Sequence, residues 1–270
     1  MRVVDFHVHA FPDQVAPKAV GQLCETYKLE AHFDGTISGL RRRMAQTVVS
    51  ASVVVPVATK PEQVRSINDW AARVNSDDII CFGTLHPDLE DLPGEVERIL
   101  SLGLKGIKVH ADFQGARIDD PKMMRVFEAA EGRLIALLHA GQEIEPFPDV
   151  MAPPRAIRRV HDVFPDLEMI AAHMGGFRMW DDARQHLVGT NVYLDTSYCP
   201  PEDLGDDELR RMILAHGPDK VVFATDGPFG DAEADLARLR RLDLPIGALE
   251  SILHGNADRL LTTSPAFPSA

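Results

Sequence analysis

Short apolar, β-branched runs alternate with stretches of helical period along almost the whole 270-residue chain. The runs read as strands at Val3–His9, Val48–Val57, Ile79–Leu85, Gly106–His110, Leu134–His139, Leu167–His173, Val192–Asp195 and Lys220–Ala224. Leu134–His139 is apolar up to its last residue, as a strand covered on both faces should be. Helical patterns fill the gaps near Gln14–Tyr27, Ile37–Gln46, up to Asn75, Asp91–Leu102, from Asp120-Pro121, up to Phe164, Pro201–Ala215 and Asp231–Arg241. A last helix begins at Asn256, a residue that caps helix N-termini well. Eight strands, each followed by a helical pattern, predict an α/β fold closed as a (β/α)8 TIM barrel, one domain spanning residues 1–270. A doubly wound open sheet is the rival, but no glycine-rich phosphate turn follows the first strand.

Composition narrows the function. A formal net charge of −13 argues against nucleic-acid and anionic-membrane partners. No apolar run reaches the roughly 18 residues that a membrane span needs. The three cysteines are widely spaced, with no Cys-x-x-Cys pair, which fits neither a disulfide framework nor a thiolate zinc site. The chain enters a strand at once, so no signal peptide is expected. A cytoplasmic enzyme acting on a small molecule follows, with a homodimer as the ordinary assembly for such a barrel.

Chemistry gathers where barrel enzymes keep it. In Val3-Val4-Asp5-Phe6-His7-Val8-His9, simple alternation puts His7 and His9 on one face of the strand, where two imidazoles can chelate a divalent cation. Later strands end in Lys108 and His110, in His139 and in His173, and Asp226 follows the eighth. Apart from Lys108 these are the residue types a divalent cation binds. The other six of the eleven histidines, His32, His86, His161, His186, His216 and His254, fall in helices or turns with no shared position and are read as structural or solvated. Lys108 has three readings: an ion pair at the mouth, a substrate anchor, or a carbamylated lysine bridging two metals. The last needs a neutral amine, which a nearby cation would favour.

Together, Asp5-Phe6-His7-Val8-His9, Gly106-Ile107-Lys108-Val109-His110, Leu138-His139-Ala140-Gly141, Ala172-His173-Met174-Gly175-Gly176, Asp195-Thr196-Ser197, Ala224-Thr225-Asp226-Gly227-Pro228 and Gly255-Asn256-Ala257-Asp258-Arg259-Leu260-Leu261 resemble the amidohydrolase superfamily, in particular its amidohydrolase-related group. The resemblance implies a distorted barrel with one or two metal ions at its mouth. His7, His9 and His139 would be ligands. His173 would bind a second metal or orient water, and Asp226 would be both ligand and proton acceptor. Lys108 stands where binuclear relatives resembling phosphotriesterases carry their bridging lysine, although many members of this group lack one. Zn2+ is the expected metal, with Mn2+ or Fe2+ behind it.

The implied reaction is hydrolysis of an amide, ester, lactone or related bond, with the metal activating water and Asp226 and His173 moving the proton. The alternative is non-oxidative decarboxylation, as in relatives resembling aminocarboxymuconate and resorcylate decarboxylases. A third reading is a metal-binding barrel without catalysis. Among mouth residues, Arg178 is read as a carboxylate clamp or a surface arginine, and His110 as a substrate contact. Phe11, Asp13, Asp112, Phe113, Gln114 and Trp180 are further candidates to line the mouth, Asp195 is read as supporting, and Asn256–Leu261 as packing.

Overall fold

In a computed structural model, which describes residues 2–143 and 149–263, the parallel β/α alternation is realised as a barrel. Among the described residues there are nine strands: β1 (Val4–Val8), β2 (Ala51–Val54), β3 (Ile79–Cys81), β4 (Gly83–Thr84), β5 (Gly106–Val109), β6 (Ile135–Leu138), β7 (Met169–Ala171), β8 (Tyr193–Asp195) and β9 (Val221–Val222). They pair in parallel as β1-β2-β3 and as β4-β5-β6-β7-β8-β9. The predicted third strand is broken at Phe82, whose N–H donates to Val54 O of β2 while β4 turns to pair with β5. Closure is made by Phe6 N–H donating to Phe223 O (2.9 Å), Asp226 N–H to His7 O (2.9 Å) and His9 N–H to Gly227 O (2.5 Å).

Plain alternation does not describe β1. Asp5 pairs with Ser52 but Val8 with Val54, so one extra residue is inserted between them. Such a bulge re-aims side chains beside a site. Val4 and Phe6 pack in the barrel interior, Val8 packs in the outer strand–helix layer, and His7 still reaches the site.

The interior is sorted by height. Val4, Phe6, Val53, Phe82, Ile135, Leu137, Ile170 and Val222 fill the lower part. Ala257, Leu260 and Leu261 of the last helix plug it from below. Gly106 is required there, since a Cβ would meet the Phe82 ring at 2.6 Å and Ile135 O at 2.7 Å. The outer layer is set by helix stripes and their caps. Asp91 accepts from Gly94 N–H at the head of helix Leu92–Ser101, and Asp231 accepts from Glu233 N–H at the head of helix Ala232–Arg241.

Two expected helix starts differ. The helix after β8 begins at Asp206, because Pro200 to Leu204 form a hydrogen-bonded turn first. Asn256 is not a cap. Its backbone is helical (φ −70°, ψ −41°) and continues a π-helical turn, Ser251–Gly255, directly into helix Asn256–Thr263. Its side-chain amide instead donates to Pro218 O and Val221 O, tying this helix to β9. The long loop after β6 contains residues 144–148, which lie outside the described residues. Among the described residues, no helix is long and apolar enough to cross a membrane.

Candidate metal centre and active site

Above the apolar plug, the inward positions turn polar. Lys108 on β5 is buried, and its Nζ donates to His7 Nε2 at 2.9 Å. His7 Nε2 and His9 Nε2 lie 3.3 and 3.0 Å from Asp226 Oδ1, so these three residues converge on one point. Asp226 holds this position with a left-handed backbone (φ 65°), and His173 does the same (φ 58°). Non-glycine residues in that region store strain of order 1–3 kcal/mol each, which recurs at functional sites.

His139 does not join the first three. Its Nδ1 faces His173 Nε2 at 3.2 Å, and its ring stacks on His110 (centroids 4.2 Å apart). His110 is sandwiched against Phe113 on the other side, and its Nε2 is 3.0 Å from Glu143 Oε2. Behind His110 Nδ1, at 3.8 Å, the Asp112 carboxylate is buried with neither oxygen hydrogen-bonded. Burial and the Glu143 charge raise the Asp112 pKa to about 6.

Hydrogen bonds behind the rings fix their tautomers. His7 Nδ1–H donates to Asp195 Oδ2 at 2.9 Å, leaving Nε2 with a lone pair. Ser197 Oγ gives its only proton to Asp195 Oδ1 at 2.5 Å, so His173 Nδ1–H donates to Ser197 O at 3.0 Å and His173 Nε2 is also a lone pair. His139 Nε2–H donates to Gln142 O at 3.2 Å, which leaves Nδ1 bare. With both rings in the neutral form, two bare nitrogens face each other across 3.2 Å. That arrangement is repulsive alone and is relieved by a cation. The donor set fits a divalent ion held by imidazole and carboxylate, with carboxylate and carbonyl groups orienting the rings from behind.

Electrostatics agrees. Burial, followed by the charge of Lys108, lowers His7 to about 4, so it is neutral and able to ligate. Burial also drives His110 and His139 well below the ordinary histidine value. For Asp226 burial works upward, but the facing His7 and the hydrogen bond from His9 hold it well below the usual carboxylate range. Burial pulls Lys108 down to about 8 despite Asp226 and Asp195 nearby, so an appreciable fraction is neutral amine near pH 7 to 8.

The centre opens into a cleft of about 910 Å³ lined by His7, His9, Lys108, His110, His139, His173 and Asp226. Phe11, Asp13 and Phe113 reach it as well. Arg178 is not on this lining: it is half-exposed, lies over the Phe177 ring and pairs with Asp203. Trp180 and Gln114 are structural. Trp180 Nε1–H holds His173 O, and Gln114 bridges Ala58 O and Leu85 O. None of the six histidines read as structural lines the cleft.

Asp195, read from sequence as supporting, holds the His7 ring, while Ser197 and Glu143 are not singled out there. Asp195 and Ser197 stand at a strand end like the ligands, which was the available signal. Glu143 lies in an irregular loop and carried none.

Comparison with known proteins places this geometry. No curated protein matches the sequence. Among solved structures, 5-carboxyvanillate decarboxylase from Sphingomonas paucimobilis is similar, at 18% identity over 97% of this chain and 99% of that one, TM-score 0.70. An uncharacterised TIM-barrel protein from Bordetella bronchiseptica has 17% identity over 98% and 99%, TM-score 0.74. A dihydroxybenzoic acid decarboxylase from Polaromonas, with bound manganese and 2-nitroresorcinol, has 16% identity over 96% of each chain, TM-score 0.68. At these identities the likeness establishes the barrel fold. A family model covers residues 4–262, nearly the whole chain, and by that match the protein belongs to the amidohydrolase family.

Proposed function

We propose that this protein is a metal-dependent decarboxylase of a small, largely apolar carboxylic acid. The observation that carries the reading is the set of imidazole nitrogens and the Asp226 carboxylate converging at the end of a cleft whose lining is mostly apolar. Similar folds are solved as decarboxylases, two of them with bound manganese, which supports this reading over the hydrolysis expected from sequence. His7, His9 and Asp226 would hold the first ion, with His139 and His173 beside it. The ion, zinc or manganese, would supply a Lewis acid that binds and polarises the substrate's oxygens.

The chain's own groups do the rest. Loss of CO2 breaks a C–C bond and leaves its electron pair on carbon, which must take a proton. Asp226 and His173 Nε2 carry no proton at rest, so they would relay one from water entering the cleft, the hydroxide left behind combining with CO2 as bicarbonate, while Asp195 and Ser197 keep the rings from turning. The apolar lining favours a neutral CO2 product over the bound carboxylate. The grip on the substrate is assigned to the metal centre and not to Arg178, which pairs with Asp203 off the cleft lining.

One observation favours hydrolysis as a second reading. Lys108 Nζ lies 2.9 Å from His7 Nε2 and shares the cleft lining with His139 and His173, a setting in which a carbamylated lysine would supply a further anionic oxygen ligand for a second ion. Elemental analysis of protein purified without added metal or chelator separates the two, together with CO2 release from a panel of aryl and alkyl carboxylates. About one ion per chain, kept in Lys108→Ala, with CO2 release is the expected result. Two ions falling to one in Lys108→Ala, with turnover of amides or lactones and no CO2, would overturn decarboxylation in favour of hydrolysis. Failure to bind any divalent ion on reconstitution removes both. We further propose that the protein acts as a homodimer in the cytoplasm.

A further inference from the structure

The cleft is far larger than its polar end requires. At about 910 Å³ it is near the upper end of small-molecule sites, which run from about 300 to 1,000 Å³. Its outer half is walled by two helices with matching apolar stripes. On helix Ala16–Tyr27 and the residue before it, Val15, Ala19, Leu23 and Tyr27 recur every four residues and face the cleft. Opposite them stand Ile67, Trp70 and Val74 of helix Val64–Val74, which also brings Ser66 and Arg73 to the lining.

The stripe on the first helix is not spent on the core, whereas on the second Trp70 is buried in the core and Val74 packs against it, each also reaching the cleft. The first helix buries only Ala16 and Val20 in the protein, while Val15 is 44% exposed and Ala19, Leu23 and Tyr27 are half-buried. Ile67 and Val74 are half-buried too. The first stripe runs for roughly 18 Å at 1.5 Å per residue. It is continuous with the cavity that holds His7, His9 and Asp226, and it is concave rather than flat. An occupant that fills this space therefore also reaches the polar centre.

We infer that this outer half is a subsite for an extended hydrocarbon tail, so that the substrate is an amphipathic acid whose carboxyl end meets the histidines while its tail lies between the two helices. The inference rests on the metal-centred reading above and adds the substrate class to it. Specificity would then reside in tail length, set by Leu23 and Trp70, more than in any charged anchor at the mouth.

Straight-chain hydroxamates from acetyl to decanoyl, titrated calorimetrically into zinc-loaded protein, test it. Acetohydroxamate cannot reach Leu23 and reports on the metal end alone. Each further methylene should tighten Kd by about fourfold until the stripe is covered, as expected for a buried CH2. Leu23→Asp should flatten this dependence. No dependence on length in the wild-type protein overturns the subsite while leaving the metal centre standing. If acetohydroxamate itself does not bind, the metal reading has failed, and free carboxylates of the same lengths then decide the subsite by hydrogen exchange. Protection of residues 16–27 that grows with chain length supports it, and no protection at any length overturns it. A dimer that Leu23→Asp dissociates would assign the face to a second copy of the chain and overturn it as well.

Discussion

The two ends of the barrel interior are built from the same inward-facing strand positions, yet they have opposite chemistry. The lower end holds Val4, Phe6, Phe82, Ile135 and Leu137, plugged by Leu260 and Leu261. The upper end holds Lys108, the histidines and Asp226, each fixed by a hydrogen-bond or ion-pair partner. Burial at the lower end contributes about 1.5–3 kcal/mol for each large apolar side chain. At the upper end it costs, and the cost is met by orientation. The lower end makes the fold stable, and that stability tolerates an upper end of bare nitrogens and left-handed backbone.

The contrast can be broken at the top first. Asp226→Asn should lower turnover by roughly 10²–10⁴-fold, the range for a lost acid–base group, with the far-ultraviolet circular dichroism unchanged. Full activity in that variant would remove Asp226 from the chemistry. At the bottom, Phe82→Ala should cost about 3–5 kcal/mol in urea unfolding, yet leave the metal content of the folded protein intact. Metal loss in step with stability would show that the two ends are not independent. Between them, Asp195→Ala should weaken metal affinity about 10–100-fold through release of the His7 ring, without removing a ligand. Competition with a chelator measures this.

The smallest effect concerns pH. Burial, with the Asp5 charge nearby, raises Asp235 on helix Ala232–Arg241 to about 8, and burial raises Asp5 to about 7. Both groups keep a proton in the folded chain that they release near pH 4 when unfolded. The folded state thus binds more protons between those values, and stability falls as pH rises from about 4 to 8. Asp235→Asn removes one such group. It should raise stability by about 1 kcal/mol at pH 8 relative to wild type, after allowance for its partial exposure, and change little at pH 4. Paired melting curves at the two pH values check the sign.

The strand-end histidines were legible because barrel topology converts sequence order into one mouth. His7, His9, His173 and Asp226 all line the cleft, as does Lys108. What sequence did not carry was local geometry. The bulge in β1 is set by pairing with Ser52 and Val54, partners some fifty residues away, so alternation, which sets His7 and His9 on one face as the structure does, gives no sign of it. The break at Phe82 arises because the chain must leave β2 and join β5 within one residue. Asn256 looked like a cap because capping is a local preference, whereas its amide is claimed by the distant carbonyls of Pro218 and Val221. Arg178 was open between a carboxylate clamp and a surface arginine because it follows His173 closely, and a left-handed backbone at Arg178 itself (φ 53°) accompanies its pairing with Asp203.

The seam between β1 and β9 has a consequence for how the molecule comes into being. Asp5 accepts hydrogen bonds from Thr225, a partner 220 residues further along the chain, and His7 and His9 meet Asp226 across the same line. Pairings that span nearly the whole chain carry the largest loop-closure entropy and reward folding last. During synthesis the two histidines emerge early and wait for an aspartate made near the end. A half-made chain therefore has no complete three-residue chelate with which to trap a stray ion, and metal acquisition reports that the barrel has shut.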